Sequence, residues 1–399
     1  MQKASYVFRG RPCRRPGWQE RGGTATMQTL HECDRRTEGG HGGEVFSCAY
    51  SNDGAFVLSA GWDGCLRLWL AADAQPAASL QAALKPLSAC AFAPDGTAWV
   101  SGSMDGALSW WDAVSHQRIR TFVAHIRPIS SIQFAPDGRS LATASWDRKL
   151  QLYRVGKEHE SRALAGHRDI VAGCCWSADS KQLLSWSHDG TLRLWDADCA
   201  QPLALLEGHA DRVTAACLSR DRQWAVSGSR DGTVKLWDLR RYAEARSVQA
   251  KEEVRGCWFL GNGASVLTVH ADGWMAVWSM PDLEMQREWA YSIRPLCGDL
   301  APSGSEVVLG SETGQLYFIV LDGLKEVPLV ATATPSFQPK SGVITRFLGK
   351  RKIERAYRFS CPACGYVGEI ARLPHEVIPC TCCNRLLYIR TEEPQLQPL

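Results

Sequence analysis

The sequence predicts an all-β fold made by repeating one unit, and three observations carry that reading. Six aspartates, Asp63, Asp105, Asp147, Asp189, Asp231 and Asp272, recur at spacings of 42 residues four times and then 41. An aromatic residue follows each in step, at Trp69, Trp111, Tyr153, Trp195, Trp237 and Trp278. The best-kept copy, residues 208–238, holds three alternating apolar segments at 213–218, 224–229 and 233–237, and this period of two belongs to strands rather than helices. Between the second and third segments, Arg230-Asp231-Gly232 is a tight hairpin turn, since Gly tolerates positive φ and Asp bonds its own backbone.

Taken in order, the copies run over 41–69, 85–111, 125–153, 167–195, 209–237 and about 252–278. A seventh, 292–320, keeps the strand pattern but has Glu312-Thr313-Gly314 at the turn and no closing Trp. The best copies open with Gly-His and close with Trp-Asp, and on these residues the chain resembles the WD-repeat family over about 280 of 399 residues.

That resemblance implies four-stranded blades, the fourth strand coming from the segment that leads into the next copy, such as 202–206. A single blade cannot bury both faces, so blades stack radially until the ring closes; seven copies imply a seven-bladed β-propeller. The last outer strand has two candidates. Residues 326–333 follow the seventh copy in the normal register and are favoured; the alternative is an N-terminal latch such as 27–31.

In the family, a His, a Ser or Thr, the turn Asp and the Trp form a buried hydrogen-bonded chain. By position this assigns His167, Ser185, Asp189 and Trp195 in the fourth copy, His209, Ser227, Asp231 and Trp237 in the fifth, and His41, Ser59, Asp63 and Trp69 in the first. A His-Ser-Asp trio invites a hydrolase reading. Its recurrence argues for structure, because a catalytic triad occurs once. The second copy has Lys85 for His, the third closes with Tyr153, the sixth has lost the His and the seventh lacks nearly all. Those blades are expected to be held by packing alone.

Family members bind partners on the face that carries the turn between the second and third strands. The residue before each turn Asp projects there: Trp62, Met104, Trp146, His188, Arg230 and Ala271. Large residues typical of interface hot spots dominate this position. The alternative, that Trp62 and Trp146 lie flat as caps on their own blades, stays open. Arg127, Asp169, Arg212 and Arg294 stand beside them.

Net charge is +3, unevenly spread. Residues 1–26 hold six basic and one acidic side chain, and 334–399 hold ten and five, so the repeats are acidic. An acidic body argues against nucleic-acid binding by the blades. No run of 18 apolar residues exists, so no membrane-spanning helix is expected. The N-terminal segment lacks the apolar region of a secretory signal and reads as disordered; Met27 offers a second start. Of the 16 cysteines, Cys48, Cys90, Cys174, Cys217, Cys257 and Cys297 fall at or near one place in the first strand and read as small buried hydrophobes. A reducing, cytoplasmic compartment follows.

After residue 333 the pattern stops. Residues 334–342 read as a linker by their Pro and Gly, and 340–358 carry seven basic residues and one Glu. Then come Cys361-Pro-Ala-Cys364 and Cys380-Thr-Cys-Cys383, two CxxC pairs with the separation of a four-thiolate zinc site. With strand-like flanks at 357–360 and 386–389, the segment resembles a zinc ribbon holding one structural Zn²⁺. Cys382 is spare, and His375 lies off the ligand spacing. The organisation expected is a basic segment 1–40, a propeller 41–333, a basic linker 334–356, a zinc ribbon 357–391 and a tail 392–399. The function expected is a non-enzymatic scaffold that docks a protein or peptide on the turn face, with the ribbon as a second docking module. The second reading is a nucleic-acid-associated factor binding through the linker and ribbon. No Gly-rich phosphate loop or open metal site suggests an enzyme or a small-molecule substrate.

Overall fold

A computed structural model describes residues 34–37, 39–261 and 263–321 in full, and beyond them the backbone of strands within 329–391. Seven antiparallel four-stranded sheets form the blades. Blade one comprises Val45–Tyr50, Phe56–Gly61, Cys65–Leu70 and Pro76–Gln81. Blades two to six repeat that order, the sixth ending at Met285–Ala290. The first strands touch in sequence, and that of blade seven, Pro295–Leu300, returns to Val45–Tyr50, so the ring is closed.

The alternation seen in the sequence becomes the packing between blades. Leu108, Ile129 and Leu141 share one cluster across blades two and three. Trp69, Trp195 and Trp237 are almost wholly buried. Burying an aliphatic side chain such as Leu108, Ile129 or Leu141 contributes about 1.5–3 kcal/mol. Fourth strands lie on the outer rim, which is why Arg118–Val123 is mostly exposed.

Every first strand shifts register after its first residue, from Val45/Ser47 in blade one to Pro295/Cys297 in blade seven. Such a bulge re-aims one side chain. In blades two, three and five that side chain is Ser88, Ser130 or Thr214, and its hydroxyl donates to the carbonyl of Ile129, Val171 or Val254 in the next blade, each at 2.5 Å. Blade four has Ala172 there, and Trp186 Nε1 instead donates across the seam to the Thr214 carbonyl at 3.2 Å.

Closure corrects the favoured expectation. The outer strand of blade seven is Arg35–Arg36, antiparallel to Leu316–Val320 with Arg35 opposite Phe318 and Arg36 opposite Tyr317. The contact continues on both sides: the Val320 N–H donates to Asp34 Oδ1, the Thr37 N–H to the Leu316 carbonyl, and the His41 N–H to the Gly314 carbonyl. The closing strand therefore comes from the N-terminal side, just beyond the 27–31 segment that was the alternative. Leu329–Phe337, which contains most of the favoured segment, pairs antiparallel with Arg355–Ser360 and parallel with Leu386–Thr391 in a separate five-stranded sheet. Both of its edges are taken, so neither can complete a blade.

Residues 334–337, the start of the expected linker, lie in the same strand. Pro335 is tolerated because the parallel pairing ends at Ala333, opposite Thr391, which leaves one edge of Pro335 unpaired among the described residues.

Candidate functional site

The buried chain is built from the residues upward in blade four. The His167 ring meets Asp189 Oδ2 through Nδ1 at 3.0 Å and Ser185 Oγ through Nε2 at 2.8 Å. Trp195 Nε1 donates to the same Ser185 oxygen at 2.8 Å. Asp189 also accepts the Arg168 N–H and ties the loop before the first strand to the hairpin turn. The His167 and Arg168 contacts hold its carboxyl far below the usual carboxylate range although partial burial opposes this. Blade one repeats the set: His41 to Asp63 at 2.8 Å, His41 to Ser59 at 2.7 Å and Trp69 to Ser59 at 2.8 Å. In blade five, His209 and Trp237 both meet Ser227, but Nδ1 of His209 lies at 2.8 Å from Thr233 Oγ1 and 3.6 Å from Asp231. Thr233 relays the contact, donating to Asp231 Oδ1.

Two blades expected to rest on packing alone do not. Blade three keeps His125 on Asp147 at 2.9 Å and on Thr143 at 2.8 Å, with Tyr153 buried in the place of Trp. Blade six supplies its imidazole from elsewhere. His270, the last residue of Ser265–His270, reaches Thr268 Oγ1 and the Glu252 carbonyl, each at 3.0 Å, and Trp278 Nε1 donates to Thr268 at 2.9 Å. The matching position in blade one is Gly61, where a Cβ would stand 2.5 Å from the His41 ring. One slot is thus filled from either of two backbone positions, and a search of the usual position alone misses the second. The sequence signal is His270, two residues after Thr268. Burial holds His209 and His270 near pKa 4.

The turn face has its own periodic geometry. In every blade the residue before the turn donates its backbone N–H to a carbonyl in the loop that leads into the first strand. The pairs are Trp62 to Glu44, Met104 to Pro86, Trp146 to Pro128, His188 to Ile170, Arg230 to Arg212, Ala271 to Glu253 and Glu312 to Arg294. The backbone is pinned, so the side chain points where the ring sends it. Trp62 is 55% exposed and Trp146 45%. The Trp62 ring lies 6.1 Å from Phe46 at a tilt of 55°, resting one edge on its blade and offering the other to solvent. Met104 and His188 are half-buried; Arg230 is exposed. Burial and then the Arg212 guanidinium hold His188 below the ordinary histidine value, against Asp169 and Asp211, which raise it, and with Arg230, which lowers it.

Two exposed residues on the loops of this face were not singled out in the sequence: Leu84, fully exposed, and Ile126, 86% exposed. Each sits in the loop that precedes a first strand, two residues before Pro86 or Pro128.

The in-step cysteines line a central channel of about 640 Å³. Burial pushes the Cys90 and Cys174 thiols up to about 12. Cys48 and Cys297 approach to 3.6 Å across the seam of blades one and seven. Asp299 also lines the channel, its pKa pushed up to about 6 by burial against the N–H groups of Tyr50 and Leu300. No group of three His, Cys, Asp or Glu side chains among the described residues could hold a metal ion. Cys361, Cys364, Cys380 and Cys383 lie outside the described residues, as does Cys382. Among the described residues no helix is long and apolar enough to cross a membrane.

A closed ring of seven four-stranded blades, stitched by a recurring His, Ser or Thr, Asp and Trp chain, defines a WD-repeat β-propeller. The family described as WD domain, G-beta repeat matches this chain over residues 32–69, 74–112, 116–154, 159–196 and 200–238. The chain carries WD40 repeats, and it folds as a seven-bladed propeller. Each match takes in an outer strand ahead of three inner ones, and in the first that strand is Arg35–Arg36, which closes blade seven. No curated protein matches the chain.

Proposed function

We propose that this chain is a non-enzymatic scaffold whose turn face docks a protein or peptide partner. WD40 propellers generally serve as interaction platforms. The observation that carries the reading here is the pinned backbone beneath a varied side chain. Seven identical N–H to carbonyl bonds fix the position while its residue runs from Trp to Arg to Glu. A fixed frame with changing side chains suits recognition. The His-containing chains, by contrast, are buried and repeated, which suits stability. Replacing Trp62, Trp146 and Arg230 with Ala together tests this. Loss of a partner that the unaltered chain captures, with an unchanged melting curve, supports the reading; full capture by the variant sinks it.

The C-terminal segment is read as a zinc ribbon and second docking module. Supporting this, Ser360 pairs with Val367 and Pro379 with Leu386, so each CxxC falls in a short connection between antiparallel strands. Cys361, Cys364, Cys380 and Cys383 are the ligands proposed for one Zn²⁺, which four thiolates would hold with no open position. A second reading, contact with nucleic acid through the basic residues of 340–358, is favoured by seven positive charges against one negative. Partner capture that disappears with nuclease or rising salt supports it over protein docking. A reducing, cytoplasmic compartment is the proposed location, supported by the free thiols buried in the ring, such as Cys48, Cys90, Cys174 and Cys257.

A further inference from the structure

The turn face is chemically divided. Blades one to three present Trp62, Leu84, Met104, Ile126 and Trp146 on it, four of them well exposed, with Lys85 and Arg127 exposed beside Leu84 and Ile126. Blade five instead presents two arginines, Arg212 and Arg230, joined by the Arg230 N–H to Arg212 carbonyl bond and both exposed. His188 of blade four lies between these two halves in ring order and within the field of both guanidiniums.

Some basic side chains elsewhere on the ring are matched. Arg222 pairs with Asp179, Lys235 with Glu244, Arg240 with Asp238 and Lys251 with Glu288. Among the described residues no carboxylate pairs with Arg212 or Arg230. Two acids of the neighbouring loops accept backbone N–H groups: Asp169 Oδ1 that of Ile170 and Asp211 Oδ1 that of Arg212, each at 2.7 Å. The two guanidiniums are left exposed on the turn face, across blade four from the apolar side chains. A planar guanidinium matches a carboxylate in two parallel hydrogen bonds.

Resting on the docking reading above, we propose that the occupant is a peptide segment of a partner protein that joins acidic side chains to large apolar ones. Its carboxylates take Arg212 and Arg230, and its apolar side chains pack on Trp146, Ile126 and Trp62. The basic stretches 1–26 and 340–358 of this chain carry the same charge as the two arginines and do not complement them.

The test is a randomised peptide-display library panned against the full chain and against two variants, Arg212→Gln/Arg230→Gln and Trp62→Ala/Trp146→Ala, each checked by thermal melting. Selected sequences should be rich in Asp or Glu next to Leu, Phe or Trp. A synthetic peptide of that kind should bind the arginine variant about tenfold more weakly and lose affinity as salt rises. Its amide counterpart, Asn and Gln for Asp and Glu, should bind the unaltered chain as weakly. Apolar peptides without acids, sensitive to the tryptophan variant only, overturn the acidic assignment and leave the docking face standing. Selection insensitive to both variants, or none at all, overturns the two together. Binding that requires a phosphorylated library overturns the carboxylate in favour of a phosphate.

Discussion

Tyr50 of blade one donates its hydroxyl to Glu306 of blade seven at 2.6 Å, across the seam where the ring closes. The same carboxylate pairs with Arg35 of the closing strand, and Arg35 reaches on to the Ala71 carbonyl at 2.8 Å. Blade one, blade seven and the two-residue strand meet on one acid. Glu306→Gln should therefore cost about 1–3 kcal/mol in urea unfolding, and Tyr50→Phe about 1 kcal/mol. Because they share a partner, the double variant should cost less than the sum. Strict additivity would show that the seam does not work as one network.

Blade six gives a second expectation. Removing the imidazole of His270 leaves the Glu252 carbonyl and Thr268 hydroxyl each short of a partner in the interior. His270→Ala should destabilise by about 1–3 kcal/mol, close to His167→Ala in blade four. A cost near zero would mean that packing alone holds that blade.

Acid should loosen the ring. His209 and His270 titrate near 4 when folded against about 6.5 when unfolded, and burial also lowers His41 and His125. A lowered histidine pKa means that the unfolded chain binds more protons, so the stability it contributes is present above about pH 6.5 and is lost as pH falls toward 4. Each of the first two should cost about 1–2 kcal/mol by pH 5. Asp299 acts in the opposite sense: its pKa is raised to about 6, so its contribution is full below 3.8 and lost as pH rises through 6. Asp299→Asn should raise the melting temperature relative to the unaltered chain at pH 8 and lose that advantage by pH 4. A melting curve flat from pH 7 to 5 would contradict the histidine reading, and an equal Asp299→Asn effect at both pH values the aspartate one.

The tail carries a metal expectation. Elemental analysis should find one zinc per chain, lost in Cys361→Ser and Cys380→Ser and kept in Cys382→Ser. No tryptophan follows Trp289, so blade fluorescence should stay unchanged when a chelator removes the ion. Loss of zinc in Cys382→Ser would reassign the ligand set.

What the sequence by itself determined was whatever repeats. The 42-residue register placed each turn Asp, each closing aromatic and the strands between them, because alternation and turn chemistry are local properties. It also placed the position before the turn, down to Trp62, Trp146 and Arg230. Tertiary structure decided what depends on residues distant in sequence meeting in space. That Arg35 rather than residues 326–333 completes blade seven depends on which strand edges are free, and that is settled only once 329–337 has paired on both sides. His270 could take the place of a missing histidine because a pocket is defined by the atoms around it, not by the chain position that fills it. That Arg212 and Arg230 have no carboxylate partner among the described residues is likewise not written in residue order, since charge pairing requires a proximity that order does not specify.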